Sequence, residues 1–420
     1  MPRRAKDQPS PRRSNGIDSG SMLRGATTQR AIAVAVFVVG LAAILTWTVS
    51  NEGRPDVAVA GPASTMPPTV STGATVTPGA SPPPATVAST TASSAPTTVP
   101  PTTTAPVRPT GAPITIAFAG DINGEGLPDA DMADAMAARL AAMAPTLSGA
   151  DLTIANLETA ITNRGAGAAK AFTFRAPPSI LDGLRSAGID IASMANNHGM
   201  DYGLDGLSDS LAARASSPIP VIGVGANDAE AFAPAKVTVK GQRVSVLAAT
   251  QVLDRTLADL WTATPVQPGL ASAKRVDRLV AEVRKARTDS DVVIVFLHWG
   301  VEKSTCPSQS QQDLARTLAD AGADVIIGGH AHRVQGGGFL GTAFVDYGLG
   351  NFAFRALGPE AQRTGVLTVT VQGRAVQAYR WVPGIIQDSS PLPLSGADAL
   401  RAVDTWNALR TCTGLSPAPS

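Results

Sequence analysis

The 420-residue chain contains four histidines, and each follows an apolar run inside a short motif. His198 ends Ala-Asn-Asn-His (195–198), His298 lies in Phe-Leu-His-Trp-Gly (296–300), and His330 and His332 share Gly-Gly-His-Ala-His (328–332). Imidazole is the commonest metal-binding side chain, and the glycines before His330 are expected to free a turn on which both rings face one cation. Asp121 in Ala-Gly-Asp (119–121) and Glu158 in Asn-Leu-Glu (156–158) hold the same kind of position. Each motif has a plain reading when taken alone. Gly-Asp is ordinary turn chemistry, Asn156 would serve as a helix cap, and His298 would serve as a buried core residue. Together they predict one metal-assisted hydrolase centre.

Other polar residues surround these. Asp201 and Tyr202 follow His198 closely enough to orient its ring. Glu302 lies just behind His298, and Asn351 in Gly-Asn-Phe is a candidate for hydrogen bonding the site's backbone. Arg175 in Phe-Arg-Ala-Pro (174–177) offers a fork for a phosphate or carboxylate, or equally a surface ion pair. The segment 251–270 is long enough for a lid, and its Trp261 would equally be plain packing.

The elements that must position these residues follow from apolar patterning. Strands are expected at 114–119, 151–155, 189–194, 243–249, 291–297 and 324–328, with helices near 129–144, 179–187, 204–215, 271–287 and 309–321. This alternation predicts α/β layering, and it sets the candidate residues at strand ends, where ligands of such sheets bind. The segments 342–347, 365–372 and 375–383 read as later strands, the last two joined through Gln-Gly-Arg, and 395–410 reads as a closing helix.

The working domain is expected at 113–412, with 413–420 a flexible tail. Residues 1–30 carry seven Lys or Arg against two acids, and 31–49 carry no charge. Nineteen such residues rise by about 28 Å as a helix, enough to span the hydrocarbon core. The basic flank places 1–30 in the cytoplasm and the rest outside; a signal peptide cleaved near Ala-Val-Ala (58–60) is the alternative. Residues 50–112 form a Pro/Thr/Ser/Ala-rich linker, expected to be a disordered stalk. The chain's net charge is +1, so the +5 of residues 1–30 leaves −4 elsewhere, which argues against nucleic acid as a partner. The two cysteines, Cys306 and Cys412, fall in the exported part, and their even count predicts one disulfide.

The chain resembles the capsule-biosynthesis CapA family, whose domain is similar to the calcineurin-like metallophosphatases. The resemblance rests on AFAGDING, LTIANLETAIT, FTFRAPP, ASMANNHGMDYG, GVGAN, FLHWGVE, GADVIIGGHAHRVQG and DYGLGNFAF, in that order across about 114–354. It implies a four-layer α/β-β/α sandwich with two divalent metal ions (Mn, Fe or Zn). By motif, Asp121 would bind the first ion and Glu158 would bridge both. Asn197, His298 and His330 would bind the second, and His332 would return to the first. His198 would act as general acid or orienter, with Asp201 behind it. Asn123 stands where many metallophosphatases carry histidine, and an amide oxygen there would be a weak ligand. Two readings stay open. One is a membrane-anchored enzyme, hydrolase or transferase, acting on an anionic envelope polymer of poly-γ-glutamate type or on an envelope phosphodiester. The other is a non-catalytic, metal-dependent polymer-binding accessory factor of a membrane-bound synthase.

Overall fold

The computed structural model describes residues 111–420. The expected basic tail (1–30), membrane helix (31–49) and nearly all of the linker lie outside the described residues. Among the described residues no helix is long and apolar enough to cross a membrane.

Strict alternation builds the layers. In the strand Val292–Trp299, Val292, Ile294 and Phe296 enter one apolar cluster, while Val293, Val295, Leu297 and Trp299 enter another. Successive side chains of a strand point to opposite faces, so this strand is covered on both sides. Its first cluster also holds Ile114, Ile116, Phe118, Leu152 and Ile154 from a second sheet, so the two sheets pack face to face. Behind one sheet lie Met132, Met136, Leu140, Ile180 and Leu184 from the helices Met132–Leu140 and Ile180–Ser186. Behind the other lie Leu279, Val283 and Ala286 of Val276–Asp289 and Leu314, Ala315 and Leu318 of Gln309–Ala321. The result is a mixed α/β fold in four layers. Truncating a pivot such as Phe296 to alanine would cost about 3–5 kcal/mol.

The first sheet runs in space Ser390–Pro393, Ala375–Gln387, Arg363–Gln372, Ile114–Ile122, Leu152–Leu157, Ile191–Ser193, Val221–Ile222, and Asn351–Ala353 pairs beside the end of Ile114–Ile122. The second runs Gly337–Leu340, Ala343–Asp346, Val325–His330, Val292–Trp299, Gln242–Thr250, Ala235–Val239. Both have parallel centres, and the pairings Ile114–Ile122 with Arg363–Gln372, Gly337–Leu340 with Ala343–Asp346, and Ala235–Val239 with Gln242–Thr250 are antiparallel. The carboxyl ends of the parallel strands therefore open at one shared edge.

Local chemistry sets the element ends. Gln309–Ala321 begins at a reciprocal capping box between Ser308 and Gln311 and stops at Gly322, whose φ is 111°. The helix expected over 129–144 is split: Pro145 falls in the first turn of a separate short helix, Ala144–Ser148, where its missing N–H is harmless. The tail also differs from expectation. Cys306 and Cys412 form a disulfide, and beyond it Ser416 exchanges two backbone hydrogen bonds with Phe339, of 2.7 and 2.9 Å. These free backbone groups pair with an edge strand, so 413–420 is held against the sheet.

Candidate metal centre

A β-bulge aims the first candidate ligand. The pairing of Ile114–Ile122 with Leu152–Leu157 slips between Ala119 and Asp121, so Gly120 is an extra residue. Without the slip Asp121 would share the helix-side face of Ala117 and Ala119. With it, Asp121 joins Phe118 on the inter-sheet face, opposite Asn156. Only glycine fits the bulge, because a Cβ at Gly120 would lie 2.0 Å from the Gly350 carbonyl oxygen. Glu158 keeps the parity of Ile154 and Asn156, and His298 keeps that of Ile294 and Phe296, so both face the same cleft.

Glu158 is the centre of the arrangement. It is completely buried, and neither carboxylate oxygen has a hydrogen-bond partner among the described residues. Three imidazole nitrogens surround its Oε1: His298 Nε2 at 3.6 Å, His198 Nε2 at 3.8 Å and His332 Nε2 at 3.9 Å. Burial pushes the Glu158 carboxyl well above the usual range, and the neighbouring Asp121 carboxylate pushes the same way. Burial also holds His298 well below the ordinary imidazole value, helped by His330 and His332, and lowers His330 to about 4. For His332, burial is outweighed by the Glu158 and Asp121 carboxylates, and its value rises to about 10. The neutral His298 and His330 rings, beside Glu158 oxygens without hydrogen-bond partners, form a donor set suited to a divalent cation.

The donor atoms form two overlapping groups, Asp121–Glu158–His298 and Glu158–His330–His332, each with its atoms within 4.8 Å of one another. Glu158 is common to both. The expected division of ligands between two ions is not reproduced simply, because His330 groups with His332 while its Nδ1 also lies 3.2 Å from His298 Nε2. The glycine turn also works differently from expectation. His330 and His332 themselves have positive φ, 88° and 49°, at a cost of about 1–2 kcal/mol each. Gly328 and Gly329 supply room instead: a Cβ at Gly329 would lie 2.7 Å from Asp121 Oδ1, and one at Gly328 would lie 2.1 Å from the Tyr347 carbonyl oxygen.

Amides hold the ligands in place. Asn156 Nδ2 donates to Asp121 Oδ1 (2.8 Å) and faces His298 Nδ1 (3.3 Å). Asn196 donates to Asn156 Oδ1 (3.1 Å) and accepts from the His198 backbone N–H (3.0 Å). Asn197 Oδ1 lies 2.7 Å from His298 Nε2. His198 Nδ1 lies 2.6 Å from Asp201 Oδ2, which leaves Nε2 directed at Glu158. Burial lowers the His198 value, and Asp201 opposes the shift.

Residues 115–356, more than half of the chain, match the family described as bacterial capsule synthesis protein PGA_cap. The chain belongs to this family. It is 32% identical over 218 residues to the capsule biosynthesis protein CapA of Bacillus anthracis, covering 51% of this chain and 52% of that one. It is 27% identical over 212 residues to the PGA biosynthesis protein CapA of Bacillus subtilis, covering 50% and 54%. The chain thus spans about half the length of the curated relatives it matches. Among solved structures, a hypothetical protein from Thermus thermophilus aligns with a TM-score of 0.43 at 17% identity, over 65% of this chain and 100% of that one.

Several outer residues of this PGA_cap chain depart from expectation. Asn123 is buried, but its Oδ1 accepts the Glu125 backbone N–H (3.2 Å), so its free group is the NH₂, a donor and not a ligand. Asn351 does more than bind backbone: its Nδ2 donates to the carbonyl of Ala361, which lines the cavity, and its Oδ1 lies 2.8 Å from His332 Nδ1 and orients that ring. Arg175 is exposed and its guanidinium stacks 5.0 Å from the Tyr202 ring, so neither residue reaches the centre. Glu302 is exposed on the rim. Trp261 is core, and its segment is stitched by three hydrogen bonds from Gln267 Nε2 to backbone carbonyls, which does not suit a moving lid.

A cavity of about 350 Å³ opens over His198, His332 and Asn351. Phe172, Phe174, Phe354 and Leu357 form its apolar walls, and its charged lining sets Lys303, Arg333 and Arg355 beside Glu125 and Glu302. Sequence reading missed these cations, Asn196 and Lys170, and offered Asn156 only as a helix cap, whereas it lies within the strand Leu152–Leu157. Asn156 had a visible signal, since it sits two residues before Glu158 on the same strand face.

Proposed function

We propose that this chain is a membrane-anchored, extracytoplasmic, metal-dependent hydrolase acting in capsule or cell-envelope polymer biosynthesis or processing. The observation that carries the reading is Glu158, whose buried carboxylate has two oxygens with no hydrogen-bond partner and four imidazoles around it. A buried carboxylate in that state is costly unless a cation answers it. Asp121, Glu158, His298, His330 and His332, with the Asn197 amide oxygen, would hold two divalent ions, Mn, Fe or Zn. Bound ions of this kind supply Lewis acidity at a phosphoryl or carbonyl oxygen.

The chain's own residues supply the rest. Asp201 fixes the His198 ring so that the unprotonated Nε2 meets the cavity, where it would accept a proton from the attacking water and hand it to the leaving-group oxygen. Lys303, Arg333 and Arg355 outnumber Glu125 and Glu302 in the lining, and this excess would draw an anionic chain to the mouth. That charge suits a poly-γ-glutamate type polymer or an envelope phosphodiester, delivered by a membrane-bound synthase. The apolar run 31–49 and its basic flank support anchoring with the domain outside, and the Cys306–Cys412 bridge suits an oxidising compartment.

One observation favours a second reading, a non-catalytic, metal-dependent polymer-binding accessory factor: Asn123 stands where many related phosphatases carry an imidazole, and its oxygen is already engaged. The test is metal analysis of the purified full-length chain beside Glu158→Gln, with hydrolysis of bis-p-nitrophenyl phosphate and of poly-γ-glutamate. About two ions per chain, with hydrolysis that Glu158→Gln abolishes, is the expected result. Bound metal without any hydrolysis supports the accessory factor. A folded chain that takes up no Mn²⁺, Fe²⁺ or Zn²⁺ refutes both.

A further inference from the structure

Lys170 belongs to no expected motif. It sits in the irregular segment between the short strands Ala160–Ile161 and Arg175–Ala176. Its side chain is only 9% exposed, and an ammonium is rarely so enclosed without a dedicated set of acceptors. Lys170 Nζ donates to the Asn197 carbonyl (2.6 Å), pairs with Asp201 Oδ1 (2.9 Å) and Asp254 Oδ2 (3.4 Å), and stands 5.4 Å from the Trp261 ring centre. One hydrogen bond and two ion pairs thus surround the ammonium. The backbone is registered too, since Ala168 N donates to the Asp201 carbonyl at 2.7 Å.

Each contact bears on the centre. Asp201 is fully buried, and its Oδ2 accepts from the Phe174 backbone N–H (2.7 Å) as well as from His198 Nδ1 (2.6 Å). Its Oδ1 has no hydrogen bond, and Lys170 is the ion-pair partner it has there. Without the ammonium, Asp201 would be a buried carboxylate with one oxygen unanswered. It would take up a proton or turn away, and either response frees the His198 ring to exchange tautomers. The Asn197 carbonyl held by Lys170 belongs to the residue whose Oδ1 faces His298 Nε2.

We propose that Lys170 is a positioning residue: a single buried ammonium locks the Asp201–His198 pair in the tautomer that presents Nε2 to the cavity, holds Asn197 toward His298, and fastens the segment bearing Asp254 and Trp261 against both. The kinetic consequence rests on the hydrolase reading; the tautomer does not. A structural lysine would affect stability alone, so the test reads the ring itself.

The full-length chain is prepared with ring-¹⁵N histidine, and the His198 signals are assigned by their loss in His198→Gln. Wild type is expected to show His198 as a single Nδ1-protonated tautomer. Lys170→Met should convert it to an exchanging mixture and lower kcat on bis-p-nitrophenyl phosphate about 10- to 100-fold, with KM little changed. Lys170→Arg should keep the tautomer and recover most of kcat. A folded Lys170→Met chain with the wild-type His198 tautomer overturns the proposal. If that variant does not fold, Lys170→Gln decides the matter by the same signal. Wild type with a fixed tautomer but no hydrolysis defeats the hydrolase reading alone, and the ring signal still decides the role of Lys170.

Discussion

Replacing Glu158 with glutamine should make the metal-free protein more stable and the metal-loaded protein less stable. The carboxylate is wholly buried with both oxygens unpaired. The nearest of the imidazole nitrogens in its ion-pair contacts, His298 Nε2 at 3.6 Å, belongs to a ring that burial keeps uncharged, and a cation, His332, stands at 3.9 Å. An unsatisfied buried polar group costs about 1–3 kcal/mol, more when charged. Allowing for the His332 attraction, about 2 kcal/mol of that cost should vanish in the isosteric neutral amide, whose N–H can donate to an imidazole nitrogen. For a domain of this size the gain corresponds to roughly 4 °C in Tm. Metal reverses the order: Mn²⁺ at 100 times its Kd adds about 2.7 kcal/mol to a chain that binds it and nothing to one that does not. The assay is thermal unfolding of the chelator-stripped full-length chain and its Glu158→Gln variant, each with and without Mn²⁺. A stripped wild type at least as stable as the variant, or an equal rise for both on adding Mn²⁺, would refute the reasoning that Glu158 is a strained cation ligand.

Other perturbations separate aim, support and staple. Gly120→Ala drives a Cβ to 2.0 Å from the Gly350 carbonyl oxygen; it should cost about 1–3 kcal/mol and, by closing the bulge that aims Asp121, lower the metal content measured by elemental analysis. Asp346 is fully buried, and burial lifts its carboxyl to about 7 against favourable contacts from the Gly348 N–H and the Trp406 indole. Its folded value lies above its unfolded one, so its contribution to stability is fully present below about pH 4 and is lost as pH rises towards 7. Asp346→Asn should therefore flatten that part of the Tm–pH curve and be the more stable protein at pH 8. The Cys306–Cys412 bridge closes a span of 106 residues; the Cys306→Ser/Cys412→Ser pair should lose about 2–4 kcal/mol in denaturant unfolding and loosen the Ser416–Phe339 pairing, read by amide exchange.

Elements whose stability is local could be read from sequence. The helix at 309–321 was legible because Ser308, Gln311 and Gly322 mark its ends within the chain itself. The central strands were legible because residues such as 292–299 are apolar on both faces. The edges were harder: Gly337–Leu340 and Ser390–Pro393 carry little apolar pattern and exist through their neighbours' hydrogen bonds. At the centre the same division holds. The types of the candidate ligands could be read, since acids and imidazoles at strand ends are conspicuous. Their aim could not, because the bulge at Gly120 is shaped by the distant Gly350 carbonyl. Lys170 was invisible because Asn197, Asp201 and Asp254 meet it only in the folded chain.

Among the described residues, local rules are broken most densely at one place in the fold. Two histidines take a left-handed backbone conformation that few side chains adopt, a carboxylate is buried without a hydrogen-bond partner, and a lysine is enclosed. Each feature costs free energy, and none is needed to pack three apolar clusters that already cover both faces of both sheets. A sequence whose local preferences otherwise agree with its fold would lose such features by drift if they did nothing, since the replacements that relieve them stabilise the chain. Their convergence around Glu158 is therefore an argument for chemistry at that point, independent of any family likeness.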